Sequence, residues 1–341
     1  NIGLKESMKK NPNLIIFGLG VGDPKNIFNT TKNLKEKFGN NRVFDVPCSE
    51  NALTGIAIGS SLNGVPSVLS HQRLDFLLLS MDQLINSASK YFYMFGSQKS
   101  IPITIRCMIG RGWGQGPTHS QNFQSALAHF PGLKIIMPTF PNDAKNLMIK
   151  SIEDKNPVII LEHRWLYNTK QRNNTKISSN SISKAKIVKK GSDVTIVSLS
   201  YMTIEALKAA SFLKKEYGIR CEVVDLISIK PLDFKTIIQS IRKTKKIIVV
   251  DTGFYSHSVS SEIISEIYIK HSNLLKKPPK KIAMPDLPEP TSYHLTKNFY
   301  NNHISIIKDV LKIMEIKLEA KIDLNLHAHH DVPDEKFEGP F

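Results

Sequence analysis

The sequence predicts a two-domain α/β protein in which each domain is built on a largely parallel sheet covered by helices. The chain has 341 residues, enough for two domains, and 41% of them are hydrophobic. Short β-branched runs alternate with longer amphipathic stretches, which is typical of parallel sheets covered on both faces. A polar segment near the middle of the chain divides this alternation into two parts.

The first part alternates strands and helices in a regular order. The β-branched runs predict six strands, at residues 14–17, 42–45, 67–69, 103–106, 134–137 and 158–161. The amphipathic stretches between them predict four helices, at 31–38, 50–62, 76–95 and 142–153. We expect a first domain at 1–167.

The second part begins after a segment rich in Asn, Ser, Thr and Lys, which predicts a linker at 168–184. We then expect three parallel strands, at 194–197, 221–225 and 246–251, with crossover helices that include 202–217. A last helix is expected near 304–317. This places a smaller second domain at 185–320 and an extended tail at 321–341, where a solvated tail is favoured over a histidine metal site.

Composition excludes several classes of protein. No run of about 18 apolar residues is present, so we expect no membrane span, and no signal peptide is visible. The three cysteines lie far apart, which favours a reducing compartment such as the cytoplasm. The net charge is +16, but the lysines are dispersed and form no basic face with interleaved aromatics, so we expect no nucleic-acid partner.

One strand-turn-helix carries the most chemical information. A predicted strand ends at Asp45, the chain turns at Pro47, and Glu50 begins a helix of small residues. Glu50 after Ser49 is interpreted either as an ordinary capped helix start or as a buried acid that holds and moves a proton. For Cys48, a small buried residue is favoured over a nucleophile, because no histidine follows it closely.

Four motifs together resemble one enzyme family. They are Pro-x-Ser-Glu at 47–50, Met-Asp-Gln-Leu-Ile-Asn at 81–86, Thr-His-Ser-Gln at 118–121 followed by Phe-Pro-Gly-Leu-Lys at 130–134, and Asp-Lys-Asn-Pro-Val at 154–158. Their order and spacing resemble the β subunit of the thiamine-diphosphate-dependent decarboxylating component of 2-oxoacid dehydrogenases, in the transketolase-like group. The resemblance implies a pyrimidine-binding parallel-sheet domain followed by a smaller α/β domain like the C-terminal domain of transketolase.

The resemblance also implies roles for individual residues. Glu50 would contact the aminopyrimidine ring of thiamine diphosphate and exchange a proton with it, and Phe76 would lie against that ring. Gln72 stands where the family has an apolar cofactor contact. His119 would face the reacting centre and assist acyl transfer to a lipoyl group. From the residues alone, Phe76 is equally well explained as a core side chain.

Two metals follow from the same resemblance. Magnesium would be held mainly by a partner chain, because the Gly-Asp-Gly signature for the cofactor diphosphate is missing here. Potassium would be bound by oxygens at five positions, although local turn chemistry also explains the last two: Ile103, Ser151, Ile152, Asp154 and Asn156.

The implied function is oxidative decarboxylation of a small 2-oxo acid. The chain would act with an α subunit that carries the diphosphate half of the site, in a heterotetramer of two α and two β chains, and with a lipoyl acyltransferase. The alternatives are a transketolase-like or acyloin-forming transferase without a lipoyl partner, and a non-catalytic subunit. The departures at Gln72, Leu79, Arg111 and Trp113 leave the 2-oxo acid open, and Arg111 or Arg73 is a candidate receptor for a substrate anion.

Overall fold

Two sheets organise the chain. The computed structural model describes residues 1–23, 26–111, 114–172, 182–297, 299–318 and 332. Strands β1 to β6 are Ile15–Gly18, Val43–Phe44, Ser67–His71, Ile103–Ile109, Lys134–Ile136 and Val158–His163. Helices α1 to α8 are Ile2–Lys10, Asn26–Asn29, Leu34–Phe38, Glu50–Leu62, Leu74–Leu77, Tyr91–Met94, Gln124–His129 and Pro141–Glu153.

The second half adds six strands and five helices within the described residues. Strands β7 to β12 are Lys186–Lys189, Val194–Ser198, Cys221–Asp225, Ser228–Lys230, Ile247–Phe254 and Lys280–Met284. Helices α9 to α13 are Tyr201–Tyr217, Phe234–Thr244, Val259–His271, Tyr293–Thr296 and His303–Ile313. The two-domain α/β architecture predicted from the alternation is therefore confirmed.

The first sheet has seven strands in the order β10-β5-β6-β4-β3-β1-β2. The six strands predicted for the first half are all present, and they pair in parallel. Their residues are almost all buried, because helices cover both faces, and Ile105 and Ile159 are completely so. This burial explains the continuous apolar runs in the sequence.

The seventh strand of this sheet comes from the second half of the chain. Strand β10 pairs antiparallel with β5, with Ser228 opposite Ile136 and Lys230 opposite Ile135. Next to it, the Met137 amide donates to the carbonyl oxygen of Ile227 over 2.7 Å. The second half of the chain thus supplies the seventh strand of the first sheet. The sequence did not predict this pairing, because the strand has only three residues and their composition is ordinary.

The second sheet has five strands in the order β12-β11-β8-β9-β7. Three of them, β8, β9 and β11, are the parallel strands that the sequence predicts. The prediction of parallel strands was right, but two further strands of this sheet were not predicted. Strand β12 adds a further parallel strand and β7 an antiparallel one at the opposite edge. Both lie at edges and are rich in lysine, which hides the apolar pattern of a strand.

The single helix expected at 76–95 is wrong. The chain there forms α5, a 3₁₀ turn at Leu78–Ser80, a π-helical segment at Gln83–Ala88, and α6. The buried residues are spaced by three at the start and by four later: Leu74, Leu77, Ser80, Leu84 and Ala88. Spacings of three and four also fit an ordinary amphipathic α-helix, so this pattern does not reveal the 3₁₀ turn or the π-helical segment.

The end of that irregular run explains a glycine in a distant motif. The carbonyl oxygen of Ser89 lies against Gly132, where a Cβ would overlap it. Gly132 also has a φ of 90°, which favours glycine. The Phe-Pro-Gly-Leu-Lys motif is therefore shaped by contact with the segment that follows the Met-Asp-Gln-Leu-Ile-Asn motif.

Smaller corrections concern boundaries. The helix expected at 31–38 begins at Leu34, after a left-handed Asn33, and the helix expected at 304–317 ends at Ile313. Most of the predicted linker (173–181) and, apart from 332, the tail predicted at 321–341 lie outside the described residues. In the described part of the chain, no helix is both long and apolar enough to cross a membrane.

Candidate active site

The candidate site lies at the carboxyl-terminal ends of the parallel strands of the first sheet. Glu50 follows β2, Phe76 follows β3, and His119 follows β4. Strands β4, β3, β1 and β2 are parallel neighbours, so the segments that follow them leave the sheet at the same edge. The carboxyl edge of an open parallel sheet is where α/β proteins bind their ligands.

Glu50 is the first residue of α4, and only 4% of it is exposed. Its carbonyl oxygen accepts hydrogen bonds from Thr54 Oγ1 at 2.8 Å and from Ser80 Oγ at 2.9 Å. The two hydroxyl oxygens are also 2.8 Å apart, and both side chains are buried. This contact fixes the start of α4 to the 3₁₀ turn that follows Phe76.

The carboxylate of Glu50 has one hydrogen-bonding neighbour among the described residues. The Sγ atom of Cys48 lies 3.7 Å from Oε1 and 3.9 Å from Oε2. The expectation that Cys48 is buried is wrong, because the residue is exposed. The charge of Glu50 raises the pKa of the Cys48 thiol, which keeps the sulfur protonated.

The interpretation of Glu50 as part of an ordinary capped helix start is supported in one respect, because Glu50 is the acid in the first turn of α4. Ser49 precedes α4, but its side chain accepts no hydrogen bond from the first turn. Glu50 is buried, whereas a carboxylate that only favours the helix N-terminus can remain in solvent. Its oxygens are therefore available to a ligand that brings its own hydrogen-bonding atoms.

The glycine-containing turn after β1 binds a carboxylate of the chain itself. The side chain of Asp45 accepts hydrogen bonds from the amides of Gly20, Val21 and Gly22 at 2.6, 3.1 and 2.9 Å. Consecutive amides of this kind are a common anion site. Because Asp45 occupies them, this turn does not offer those amides to a phosphate.

Phe76 and His119 are in direct contact. Their ring centroids are 5.6 Å apart and their planes are at 88°, an edge-to-face arrangement. Phe76 is half-buried, whereas His119 is exposed. The Nδ1 atom of His119 lies 2.9 Å from the hydroxyl oxygen of Thr118. The structure thus places together two residues that are 43 positions apart in the sequence.

Two polar contacts hold the His119 loop against the start of α5. Arg73 Nη1 donates to the carbonyl oxygen of His119 at 3.1 Å, and Gln121 Nε2 donates to Asp75 Oδ1 at 2.7 Å. Sequence reasoning assigned no role to Asp75, Gln121 or Ser80, although Gln121 ends the Thr-His-Ser-Gln motif. For Asp75 and Ser80 the only signal is their proximity in sequence to Phe76.

Gln72 reaches the same edge of the sheet. It is half-buried, and its Nε2 atom lies 3.0 Å from where a Cβ on Gly20 would stand. The side chain therefore lies beside the turn that Asp45 organises. The structure places Gln72 near that turn and gives no contact between Gln72 and Glu50.

Arg111, one of the two candidate receptors for a substrate anion, packs against two aromatic rings. The residue is buried, and its guanidinium carbon lies 3.5 Å from the ring centroid of Tyr300 and 4.5 Å from that of Trp165. Tyr300 belongs to the second half of the chain, so this cation–π contact joins the two halves. Trp113 lies outside the described residues.

The five positions named for potassium lie at the start of β4, at the end of α8 and in the turn that leads to β6. Asp154 Oδ1 accepts from the Asn156 amide at 2.9 Å and from Nδ2 at 3.2 Å, as turn chemistry predicts. Lys134 Nζ lies 2.5 Å from Asp154 Oδ2. Ser151 Oγ is buried without a hydrogen-bond partner, which is the one feature here that fits an added cation.

No cluster of three or more His, Cys, Asp or Glu side chains that could hold a metal is present in the parts of the chain that the structure describes. The histidines at 327, 329 and 330 lie outside them.

Comparisons with known proteins match both halves of the chain. The family "Transketolase, pyrimidine binding domain" matches residues 1–170, and "Transketolase, C-terminal domain" matches residues 183–304. A solved structure described as "Split gene transketolase, inactive beta4 tetramer" has a TM-score of 0.75 with 21% identity, covering 93% of this chain and 96% of that one. This likeness shows the fold.

The chain therefore has the paired domains of the transketolase-like thiamine-diphosphate enzymes. Its curated relatives define the family more narrowly. The pyruvate dehydrogenase E1 component subunit beta-2 (mitochondrial) of Oryza sativa is 36% identical over 301 residues, covering 87% of this chain and 80% of that protein. The corresponding beta subunits of Rickettsia bellii and Bacillus subtilis are each 33% identical, covering 92% of this chain and 96% of theirs. The chain belongs to the family of E1 β subunits of 2-oxoacid dehydrogenases.

Proposed function

We propose that the chain is the β subunit of a thiamine-diphosphate-dependent enzyme that decarboxylates pyruvate or a related 2-oxo acid and passes the acyl group to a lipoyl carrier. The observation that carries this proposal is the buried carboxylate of Glu50, a residue whose backbone carbonyl oxygen accepts a hydrogen bond from Ser80, at the ligand-binding end of the sheet that also presents Phe76. Membership of the E1 β family supports the same reaction.

Thiamine diphosphate supplies the carbanion chemistry when it is bound. The residues of this chain fit its aminopyrimidine ring, because a buried carboxylate with free hydrogen-bonding capacity and a half-buried aromatic ring lie at one edge. Glu50 would hold a proton at the ring nitrogen and return it, as a general acid and base. Phe76 would orient the ring, with Gln72 at the neighbouring turn.

His119 would act on the substrate side. Its ring is exposed, in contact with Phe76 and close to the Thr118 hydroxyl. An imidazole that is near the cofactor and open to solvent suits proton transfer to an incoming acceptor. We propose that it assists acyl transfer to the lipoyl group of an acyltransferase.

The proposed enzyme needs an α subunit. The chain has no Gly-Asp-Gly signature, and Asp45 occupies the consecutive amides of the turn after β1. We infer that the α subunit holds the diphosphate and magnesium, in a heterotetramer of two α and two β chains. For potassium, the buried Ser151 Oγ supports a site formed with Ile103, Ile152, Asp154 and Asn156.

We also propose that a linker at 168–184 separates the two domains and that the chain acts in the cytoplasm. The family matches end at 170 and begin again at 183. The free cysteines support a reducing compartment such as the cytoplasm. The plant relatives are named as mitochondrial proteins, so fractionation with a tag at the C-terminus would decide between the two compartments.

The test is reconstitution with an α subunit. The purified chain alone should show no turnover, and the pair should decarboxylate pyruvate with lipoamide as the acceptor. The same assay is repeated with branched-chain 2-oxo acids as substrates and with an aldehyde as the acceptor. Full activity of the chain alone, or transfer to the aldehyde without any to lipoamide, would contradict the proposal and favour the acyloin-forming alternative.

A further inference from the structure

A loop of the second half buries an acid and exposes its apolar residues. The segment 285–295 follows β12, and Glu289 is its one buried residue, with 1% exposed. Leu287 and Leu295 in the same segment are 60% and 67% exposed. This reverses the usual preference for burying leucine and solvating glutamate, so something other than hydrophobic packing holds Glu289 inside.

The surroundings of Glu289 leave part of its carboxyl group without a partner. Its Oε1 atom is buried and has no hydrogen-bond partner. Burial, opposed by a hydrogen bond from the backbone of Glu289 itself and reinforced by the negative charge of Asp75, raises the pKa of Glu289 to about 7. Glu289 is thus poised between a neutral and a charged form near neutral pH.

Asp75 links Glu289 to the His119 loop. It accepts a hydrogen bond from Gln121 Nε2 at 2.7 Å, and Arg73 next to it donates to the carbonyl oxygen of His119. Burial raises the pKa of Asp75, against the lowering effects of its hydrogen bond from Gln121 and of the positive charge of Arg73. Asp75 is the better stabilised of the two carboxylates, because it accepts a hydrogen bond from Gln121, whereas Glu289 Oε1 has no partner.

The same loop touches the Glu289 segment at a second point. Gly116 has a φ of 64°, and a Cβ there would overlap the Oγ1 atom of Thr291. The His119 amide in turn donates to the carbonyl oxygen of Gly116 at 3.4 Å. Segment 289–291 therefore packs against the turn that presents His119.

We propose that Glu289 is a positioning residue that, as a neutral carboxyl, lets Asp75 stay charged and bonded to Gln121, and so holds the His119 loop in place. When Glu289 ionises, two carboxylates repel each other in a buried setting. The charged groups acting on the pair are Asp75 itself and Arg73. The loop would then loosen as pH rises, and His119 would be misplaced. The expected effect of Glu289 on catalysis rests on the proposed function, whereas its expected effect on the His119 loop does not.

The first test measures the loop directly in the full chain. Hydrogen–deuterium exchange of peptides covering 114–121 is followed between pH 6 and pH 8.5 and corrected for the intrinsic pH dependence of exchange. The wild-type chain should lose protection above about pH 7, by up to about tenfold. Glu289→Gln, which is neutral at every pH, should keep its protection throughout. Asp75→Asn should also remove the pH dependence, because it removes the other charge.

Glu216→Gln, an exposed position on α9, serves as the control and should behave as wild type. Equal loss of protection in wild type and Glu289→Gln would overturn the proposal, as would protection that is independent of pH in wild type. In the reconstituted enzyme, the ratio of kcat/KM at pH 8 to that at pH 6 should be higher for Glu289→Gln than for wild type. The exchange result stands even if the reconstituted pair has no activity, so failure of the positioning role and failure of the proposed function are separable.

Discussion

The ring of Phe76 lies edge-on to the imidazole of His119, with their centroids 5.6 Å apart. Phe76 follows β3 and His119 follows β4, so this contact joins two neighbouring segments at the ligand-binding edge. Glu50 is tied to the same region through Ser80. One face of the proposed cofactor pocket and its substrate side are therefore built by adjoining residues of a single domain.

Replacing His119 should separate two half-reactions. In the reconstituted enzyme, His119→Gln should lower lipoamide-linked turnover by on the order of 100-fold, because a proton donor for the acceptor is lost. Decarboxylation linked to ferricyanide should fall much less. Thr118→Val, which removes only the hydroxyl near Nδ1, is the matched control and should have a small effect. An equal fall in both assays for His119→Gln would contradict the assigned role.

A buried ion pair in the first sheet should dominate local stability. Arg106 donates to Glu162 through Nε at 3.0 Å and Nη2 at 2.6 Å, and the Tyr167 hydroxyl donates to the same carboxylate at 2.7 Å. Arg106→Met should lower the free energy of unfolding by about 3–5 kcal/mol, since it leaves a buried carboxylate without its cation. Urea denaturation measures the change.

The double variant Arg106→Met with Glu162→Leu provides the comparison for that prediction. It removes both charges, so it should recover part of the lost free energy of unfolding. The double variant could instead have a lower free energy of unfolding than Arg106→Met, by as much as a second cavity would cost. In that case, the unpaired charge of Glu162 is not the cause of the loss in Arg106→Met.

Asp225 should make the stability of the chain depend on pH. It is fully buried at the end of β9, and burial raises its pKa to about 7 from 3.8. The folded state therefore binds a proton that the unfolded state releases, so the contribution of Asp225 to stability should be greatest below about pH 4 and fall as pH rises to about 7. Asp225→Asn should weaken this decline by about 2–4 kcal/mol. Thermal unfolding at pH 5 and pH 8 measures it.

Glu216→Gln is the control for that measurement, because Glu216 is exposed on α9 and is paired with Lys215 at 2.9 Å. It should leave the pH dependence between pH 5 and pH 8 in place. The account of Asp225 fails if Asp225→Asn shows the same decline as wild type over that range.

Sequence patterns predicted the parts of this fold that local chemistry determines. Helix α4 begins at Glu50 and ends at Leu62 as expected, because a turn at Pro47 precedes it and small and apolar residues fill it. The resemblance placed Phe76 and His119 in one site, and the structure places their rings in contact. The roles assigned to them stay predictions.

Long-range contacts explain what the sequence did not predict. The pairing of β10 with β5 depends on how the second half folds back, and nothing in Ser228–Lys230 indicates it. The 3₁₀ turn and the π-helical segment after Phe76 were not predicted, because the spacing of the buried residues there also fits an ordinary α-helix. Glu289 gave no signal, because an acid between two prolines in a polar segment normally predicts an exposed turn.

In the proposed reaction, Glu50 exchanges a proton with bound thiamine diphosphate. The rate of hydrogen–deuterium exchange at C2 of thiamine diphosphate bound to the reconstituted pair, for wild type and for Glu50→Gln, tests this exchange. The rate should be at least about 100-fold slower for Glu50→Gln, since the amide cannot take part in the proton relay. A rate equal to that of wild type, with cofactor still bound, would contradict it.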